Sequence, residues 1–237
     1  MKPKMILFDY GQTLIVEPQF DWMAANRAIL AHTTLPKGMT EDDFCRRSDA
    51  LFNFIMGTMH ENDREFEHVK FLRLLCDSNS ITLDIPIEEA DLLYWDSATH
   101  GSFASPGAKE FLDFAEENGI RTGIISNMCY SNAALRTRVA RYLPNHNFEF
   151  ILTSSDYVLR KPEPLLFEVA CRRAKLDPSE IWYVGDNPRA DVLGASGAGL
   201  YPVLYTGAHK RTYDMLPRLR FDIVDSFDEL RTLVENA

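Results

Sequence analysis

Four short apolar runs, each stopped by polar residues, constrain this chain more than any other feature. Met5-Ile6-Leu7-Phe8 ends at Asp9, Gly123-Ile124-Ile125 at Ser126-Asn127, Phe150-Ile151-Leu152 at Thr153-Ser154-Ser155-Asp156, and Ile181-Trp182-Tyr183-Val184 at Gly185-Asp186. Unbroken apolar runs of this length suit strands buried on both faces, as in parallel sheets, rather than the alternating pattern of half-exposed strands. Helical patterns lie between them. Ala108, Phe111, Leu112 and Ala115 fall on one helical face closed by Asn118-Gly119, and Leu166, Val169, Ala170 and Ala174 form a second face that opens with Pro162 or Pro164. A further helix is expected from about Ser131. Strands alternating with such helices predict βαβ units and a mainly parallel sheet. Ligands of such sheets bind beyond the carboxyl ends of the strands, which is where each polar cluster falls.

The stretch from about Phe20 to Thr99 has few strand signals and several amphipathic segments, with Val69, Leu72 and Cys76 on one face and a helix start at Thr40-Glu41-Asp42-Asp43. A helical insertion after the first strand is expected. The composition excludes several function classes. With 46% apolar and 25% charged residues the chain is an ordinary globular one. Lys and Arg number 25 against 35 Asp and Glu, and no basic stripe exists to track a phosphate backbone or an anionic membrane, so neither nucleic acid nor membrane is an expected partner. Cys45, Cys76, Cys129 and Cys171 lack paired or metal-finger spacing and read as reduced core thiols. The apolar run before Asp9 is only four residues long, too short for the core of a signal peptide, and no stretch approaches the about 18 that a membrane helix needs, so a cytoplasmic location is expected.

The polar clusters resemble, in order, the four motifs of the haloacid dehalogenase superfamily, and among its members phosphatases of the phosphoglycolate phosphatase type with a helical cap. Asp9-Tyr10-Gly11-Gln12-Thr13-Leu14 is similar to the first motif, Ser126-Asn127 to the second, Lys161 in Arg160-Lys161-Pro162 to the third, and Gly185-Asp186-Asn187-Pro188-Arg189-Ala190-Asp191 to the fourth. The resemblance implies a Rossmann-like three-layer α/β core built from residues 1–15 and 103–237, with residues 16–102 as an inserted helical cap. It also implies a hydrolase that acts on a small phosphorylated metabolite, as a monomer or homodimer.

Chemistry supports each assignment. A carboxylate at a strand end can attack phosphorus and form an aspartyl-phosphate, which makes Asp9 the expected nucleophile. That carboxylate and a phosphate dianion repel, so a cation is required, and oxygen ligands suit Mg²⁺. By resemblance Mg²⁺ is held by Asp9, Asp186 and the backbone carbonyl of Gly11, with Asn187 and Asp191 behind them. Lys161 places a fixed positive charge on the nucleophile and the transferring group. Thr13 and Ser126 offer hydroxyls, and Ser126 and Asn127, ahead of the helix expected from about Ser131, offer backbone N–H groups to phosphate oxygens.

One position departs from the pattern. Most phosphatases of the superfamily carry a second Asp two residues after the nucleophile, as general acid and base; here Gly11 stands there. Such help is worth ~10²–10⁴ in rate, or about 3–5 kcal/mol. Three readings stay open. The chain is a phosphohydrolase whose proton comes from the substrate or from His60, Glu61, Asp63 or His68 in the insertion. It is a hydrolase of another branch of the superfamily: the dehalogenase-like branch, which lacks a metal, or the phosphonatase-like branch, which uses a cap lysine as a Schiff base and for which Lys70 is the available lysine. Or it binds a phosphorylated ligand and turns over weakly. The role of Gln12 and the facing of Trp22 and Trp95 are undecided in the sequence.

Overall fold

In the computed structural model the described residues are 2–60, 63–146, 148–208 and 219–237, His60 only by its place in a helix. Strand β1 (Met5–Phe8) has no exposed side chain, and each such burial is worth about 1.5–3 kcal/mol, which secures it as the centre of the molecule. The chain then forms β2 (Ile15–Val16) and enters the helical insertion: α1 (Trp22–Leu30), β3 (Thr33–Thr34), α2 (Glu41–His60), α3 (His68–Asn79), β4 (Thr82–Leu83) and α4 (Ile87–Ala98). It returns through β5 (Phe103–Ala104), which pairs antiparallel with β2 as a two-stranded neck. Thr40 caps α2 as its composition suggests: its Oγ1 accepts from the Asp43 N–H at 3.1 Å while Asp43 accepts from the Thr40 N–H at 2.9 Å. Val69, Leu72 and Cys76 are all buried on α3.

The core continues as α5 (Ala108–Glu117), β6 (Arg121–Ser126), α6 (Asn132–Tyr142), β7 (Ile151–Thr153), the one-turn α7 (Ser154–Tyr157), α8 (Pro164–Ala174), β8 (Ile181–Gly185), a π-helical turn at Pro188–Leu193 running into α9 (Gly194–Gly197), then β9 (Tyr201–Tyr205), β10 (Asp222–Val224) and α10 (Phe227–Glu235). Helix α5 buries the expected stripe of Ala108, Phe111, Leu112 and Ala115 and ends at Gly119 with φ 68°, the left-handed conformation that glycine adopts without strain. Helix α8 starts on Pro164 and α6 on an Ser131 cap.

The six-stranded sheet has the order β10-β9-β8-β1-β6-β7, all parallel. The chain moves outward from β1 through β6 and β7, then crosses back to place β8 on the other side of β1. The strand order therefore reverses at β1, and the crevice at its carboxyl end is the switch point where ligands of such sheets bind. This is an α/β Rossmann-like fold. Among the described residues no helix is long and apolar enough to cross a membrane.

Candidate active site

Asp9 follows β1 at that switch point, its N–H held by the Val184 carbonyl at 2.9 Å. Ser126 ends β6, Lys161 follows β7 and α7, and Asp186 follows β8. All line one cavity of about 380 Å³, together with Gly11, Asn127, Asn187 and Asp191. Sites of ~300–1,000 Å³ are typical for small ligands.

Lys161 is the centre of the polar network. Its buried ammonium, with three protons to give, has four acceptors within hydrogen-bond distance: Asp9 Oδ1 at 2.9 Å, Asp191 Oδ1 at 2.7 Å, Tyr183 Oη at 2.6 Å and the Ile125 carbonyl at 3.1 Å. Burial pulls the ammonium down, but the charges of Asp191 and then Asp9 outweigh it and hold Lys161 above the ordinary lysine value. It stays cationic throughout the neutral range. Asn127 clamps the same residue: its Oδ1 accepts from the Lys161 N–H at 2.8 Å and its Nδ2 donates to the Lys161 carbonyl at 2.9 Å. Asn127 thus reaches the cavity wall while its side-chain amide positions Lys161.

Asp191 Oδ2 accepts from the Asn187 N–H at 2.8 Å, and Asn187 Oδ1 caps the following turn through the N–H groups of Arg189 and Ala190, both at 3.0 Å. Gly185 makes room for this arrangement, because a Cβ there would lie 2.4 Å from the Asp191 carboxylate. Gly185→Ala is expected to cost about 1–3 kcal/mol in urea unfolding, as other overpacked sites do, and to lower turnover by displacing Asp191 from Lys161.

Carboxylate oxygens of Asp9, Asp186 and Asp191 lie within 4.8 Å of one another. Three hard oxygen donors opposed by one ammonium form a donor set suited to a divalent cation of the Mg²⁺ type. Thr13, by contrast, is fully buried and outside the cavity wall, and its Oγ1 has no hydrogen-bond partner among the described residues.

The insertion supplies the other wall, with Phe20, Phe52, Met56, Glu65, Trp95 and Thr99 facing the cavity. Trp95 stacks on Tyr130 at 4.6 Å between ring centroids, whereas Trp22 is exposed and absent from the wall. Of the acids and bases considered in the insertion, His68 is buried against Asp91 at 2.8 Å and Asp63 is held by both terminal nitrogens of Arg189 at 2.9 and 2.7 Å. Glu61 and the side chain of His60 lie outside the described residues. Lys70 is 77% exposed and pairs with Glu67 at 3.2 Å, away from the cavity. Gln12 adopts φ 56° and donates through Nε2 to the Glu17 carbonyl at 2.6 Å.

Glu17 was not among the residues singled out from the sequence. It lines the cavity just beyond β2, and its Oε1 accepts from Trp95 Nε1 at 3.0 Å and Arg138 Nη2 at 2.9 Å. Burial raises its carboxyl above the ordinary range, with Arg138 opposing. The only signal for it is indirect: an acid directly after Leu14-Ile15-Val16, eight positions past Asp9, which a short ribbon folds back over the first motif.

The fold and this centre define a Rossmann-like α/β protein with an acidic site at the switch point of its sheet and a helical insertion beside it. The chain belongs to the haloacid dehalogenase-like hydrolases, whose family model matches residues 4–199. It is 30% identical over 126 residues to the haloacid dehalogenase-like hydrolase domain-containing protein 3 of Mus musculus, covering 50% of this chain and 47% of that protein. It is 29% identical over 112 residues to the ribulose-1,5-bisphosphate 5-phosphatase of Halopiger xanaduensis, covering 47% and 46%. The chain thus spans about half the length of these curated relatives. Among solved structures, the HAD phosphatase from Thermococcus onnurineus superimposes with a TM-score of 0.65 at 22% identity, covering 99% of this chain and 98% of that one.

Proposed function

We propose that the protein is a Mg²⁺-dependent phosphatase that acts on a small phosphorylated metabolite through an aspartyl-phosphate on Asp9. The observation that carries this reading is the position of Asp9 at the switch point, gripped through Oδ1 by a buried lysine while its carboxylate borders the cavity. Relatives of this chain that are phosphatases, such as the ribulose-1,5-bisphosphate 5-phosphatase, support the reaction class.

In this reading Asp9 attacks phosphorus, and Lys161 keeps the carboxylate oriented and offsets the charge that accumulates on the transferring group. Asp191 and Asn127 hold Lys161 in place, one by charge and one by its backbone. Ser126 offers a hydroxyl beside the nucleophile. Two like charges about 4 Å apart repel by about 4 kcal/mol at an effective dielectric constant of about 20, so one ammonium is too little to bring a phosphate dianion onto Asp9. Asp9 and Asp186 would hold the Mg²⁺, with Asp191 beside them; when bound it supplies the positive charge that lets the anions meet. The insertion, residues 16–102, serves as the cap that walls off the leaving group. The exposed, paired Lys70 disfavours a Schiff-base route, and the gathered carboxylates disfavour the metal-free dehalogenase reading.

Phosphate release from a panel of phosphomonoesters tests the reading. Chelation by EDTA is expected to lower the rate at least about 10²-fold, with Mg²⁺ restoring it. A rate unmoved by chelation would remove the metal from the account, and release from no ester would favour a ligand-binding role.

A further inference from the structure

The position that departs from the phosphatase pattern is the position over which the structure holds another carboxylate. Glu17 Oε2 lies 3.4 Å from where a Cβ at Gly11 would stand. A side chain at position 11 would therefore point into the space that the Glu17 carboxylate borders, and glycine leaves that space to Glu17. Three contacts fix it there. Gln12 Nε2 holds the Glu17 backbone carbonyl, while Trp95 Nε1 and Arg138 Nη2 both bond Oε1. The fold thus uses one oxygen as an anchor and turns the other toward Gly11 and the cavity. Arg138 is itself braced by Tyr10 Oη at 3.0 Å, Ser102 Oγ at 3.0 Å and Asp96 Oδ1 at 2.5 Å, so Glu17 is not its sole counter-ion.

We propose that Glu17 is the general acid and base of the reaction, working from the neck of the insertion in place of the aspartate that position 11 lacks. The proposal rests on the phosphatase reading above. In the first half-reaction an Asp9 oxygen bonds to phosphorus as the bond from phosphorus to the leaving oxygen breaks. The Glu17 carboxyl gives that oxygen its proton, and an alcohol departs. In the second, a water attacks phosphorus and loses a proton to the Glu17 carboxylate while the bond to Asp9 breaks. Inorganic phosphate leaves, and both side chains return to their starting states. Gln12, whose role the sequence leaves undecided, acquires one as the residue that positions Glu17.

Glu17→Gln separates this role from a structural one, because the amide oxygen still accepts from Trp95 and Arg138 while the transferable proton is gone. With an alkyl phosphate, whose leaving group needs a proton, the variant is expected to lose ~10²–10⁴ in kcat. With an aryl phosphate the first half-reaction needs little help, so the variant should release about one phenolate per site in a burst and then stall as phosphoenzyme. Gly11→Asp introduced into Glu17→Gln should restore part of the alkyl phosphatase activity. Gln12→Ala, which leaves every charge in place, should lower alkyl turnover while keeping the phenolate burst with the aryl ester, and serves should Glu17→Gln fail to fold. Equal losses on both esters without a burst, or no loss at all, would overturn the proposal while leaving Asp9 as nucleophile. Turnover by Asp9→Asn would instead overturn the reading beneath it.

Discussion

Asp9→Asn is expected to lower phosphate release on the order of 10⁴–10⁶-fold, to background for most esters, with the fold intact. The loss is large because the amide is a poor nucleophile and the neighbouring Asp191 is already engaged, with one oxygen on Lys161 and the other on the Asn187 N–H; in other enzymes removing the nucleophile costs as much as removing the whole catalytic set. Stability should change by no more than about 1 kcal/mol, since asparagine keeps an oxygen for Lys161 and lies at the edge of the cavity. Thermal unfolding and phosphate release on the same preparation separate the two effects.

Lys161→Met is expected to harm both stability and turnover. Removing the ammonium leaves Asp9 and the fully buried Asp191 without their common partner, and stranding buried charge in this way costs about 3–5 kcal/mol. Turnover should fall by at least about 10²–10³-fold, the usual cost of losing one electrostatic donor to the transferring group. The pH dependence follows from linkage. In the unaltered protein Lys161 titrates above its ordinary value of 10.5 because Asp191 and Asp9 outweigh burial. Its contribution to stability is complete below that value and is lost as pH rises through the higher folded one. In Lys161→Met the Asp191 carboxyl, which burial already raises and the lysine charge no longer opposes, binds a proton more readily folded than unfolded, so the deficit should narrow as pH falls toward the carboxylate range. Urea unfolding midpoints at several pH values check both signs. A deficit that does not change with pH would mean that the loss is one of packing rather than charge.

The strands that carry the site were legible because they are buried on both faces, which leaves an unbroken apolar run and a sharp polar stop. β1, β6, β7 and β8 each have this signature, and the residues after them meet because parallel strands bring their carboxyl ends to one edge. β9 and β10 were not legible. Tyr201–Tyr205 contains Pro202, which argues against a central strand, yet the segment pairs with β8 on one side and β10 on the other. Asp222–Val224 is an edge strand of three residues. Site chemistry at strand ends could be read from local pattern; Glu17 could not. Its role depends on a two-residue ribbon between β2 and β5 and on Arg138 from α6, contacts separated by up to 121 positions. Thr13 shows the converse limit. A hydroxyl four residues after the nucleophile looks available in one dimension, but in the fold Thr13 is fully buried and outside the cavity wall.

The covalent intermediate is the centre of this mechanism and can be located chemically. Enzyme quenched in acid during turnover of an aryl phosphate, then reduced with borohydride, carries homoserine wherever an aspartyl-phosphate stood. Homoserine at position 9, absent from Asp9→Asn and enriched in Glu17→Gln, is the expected result; active enzyme that yields homoserine at another position, or at none in Glu17→Gln after a full burst, would contradict it.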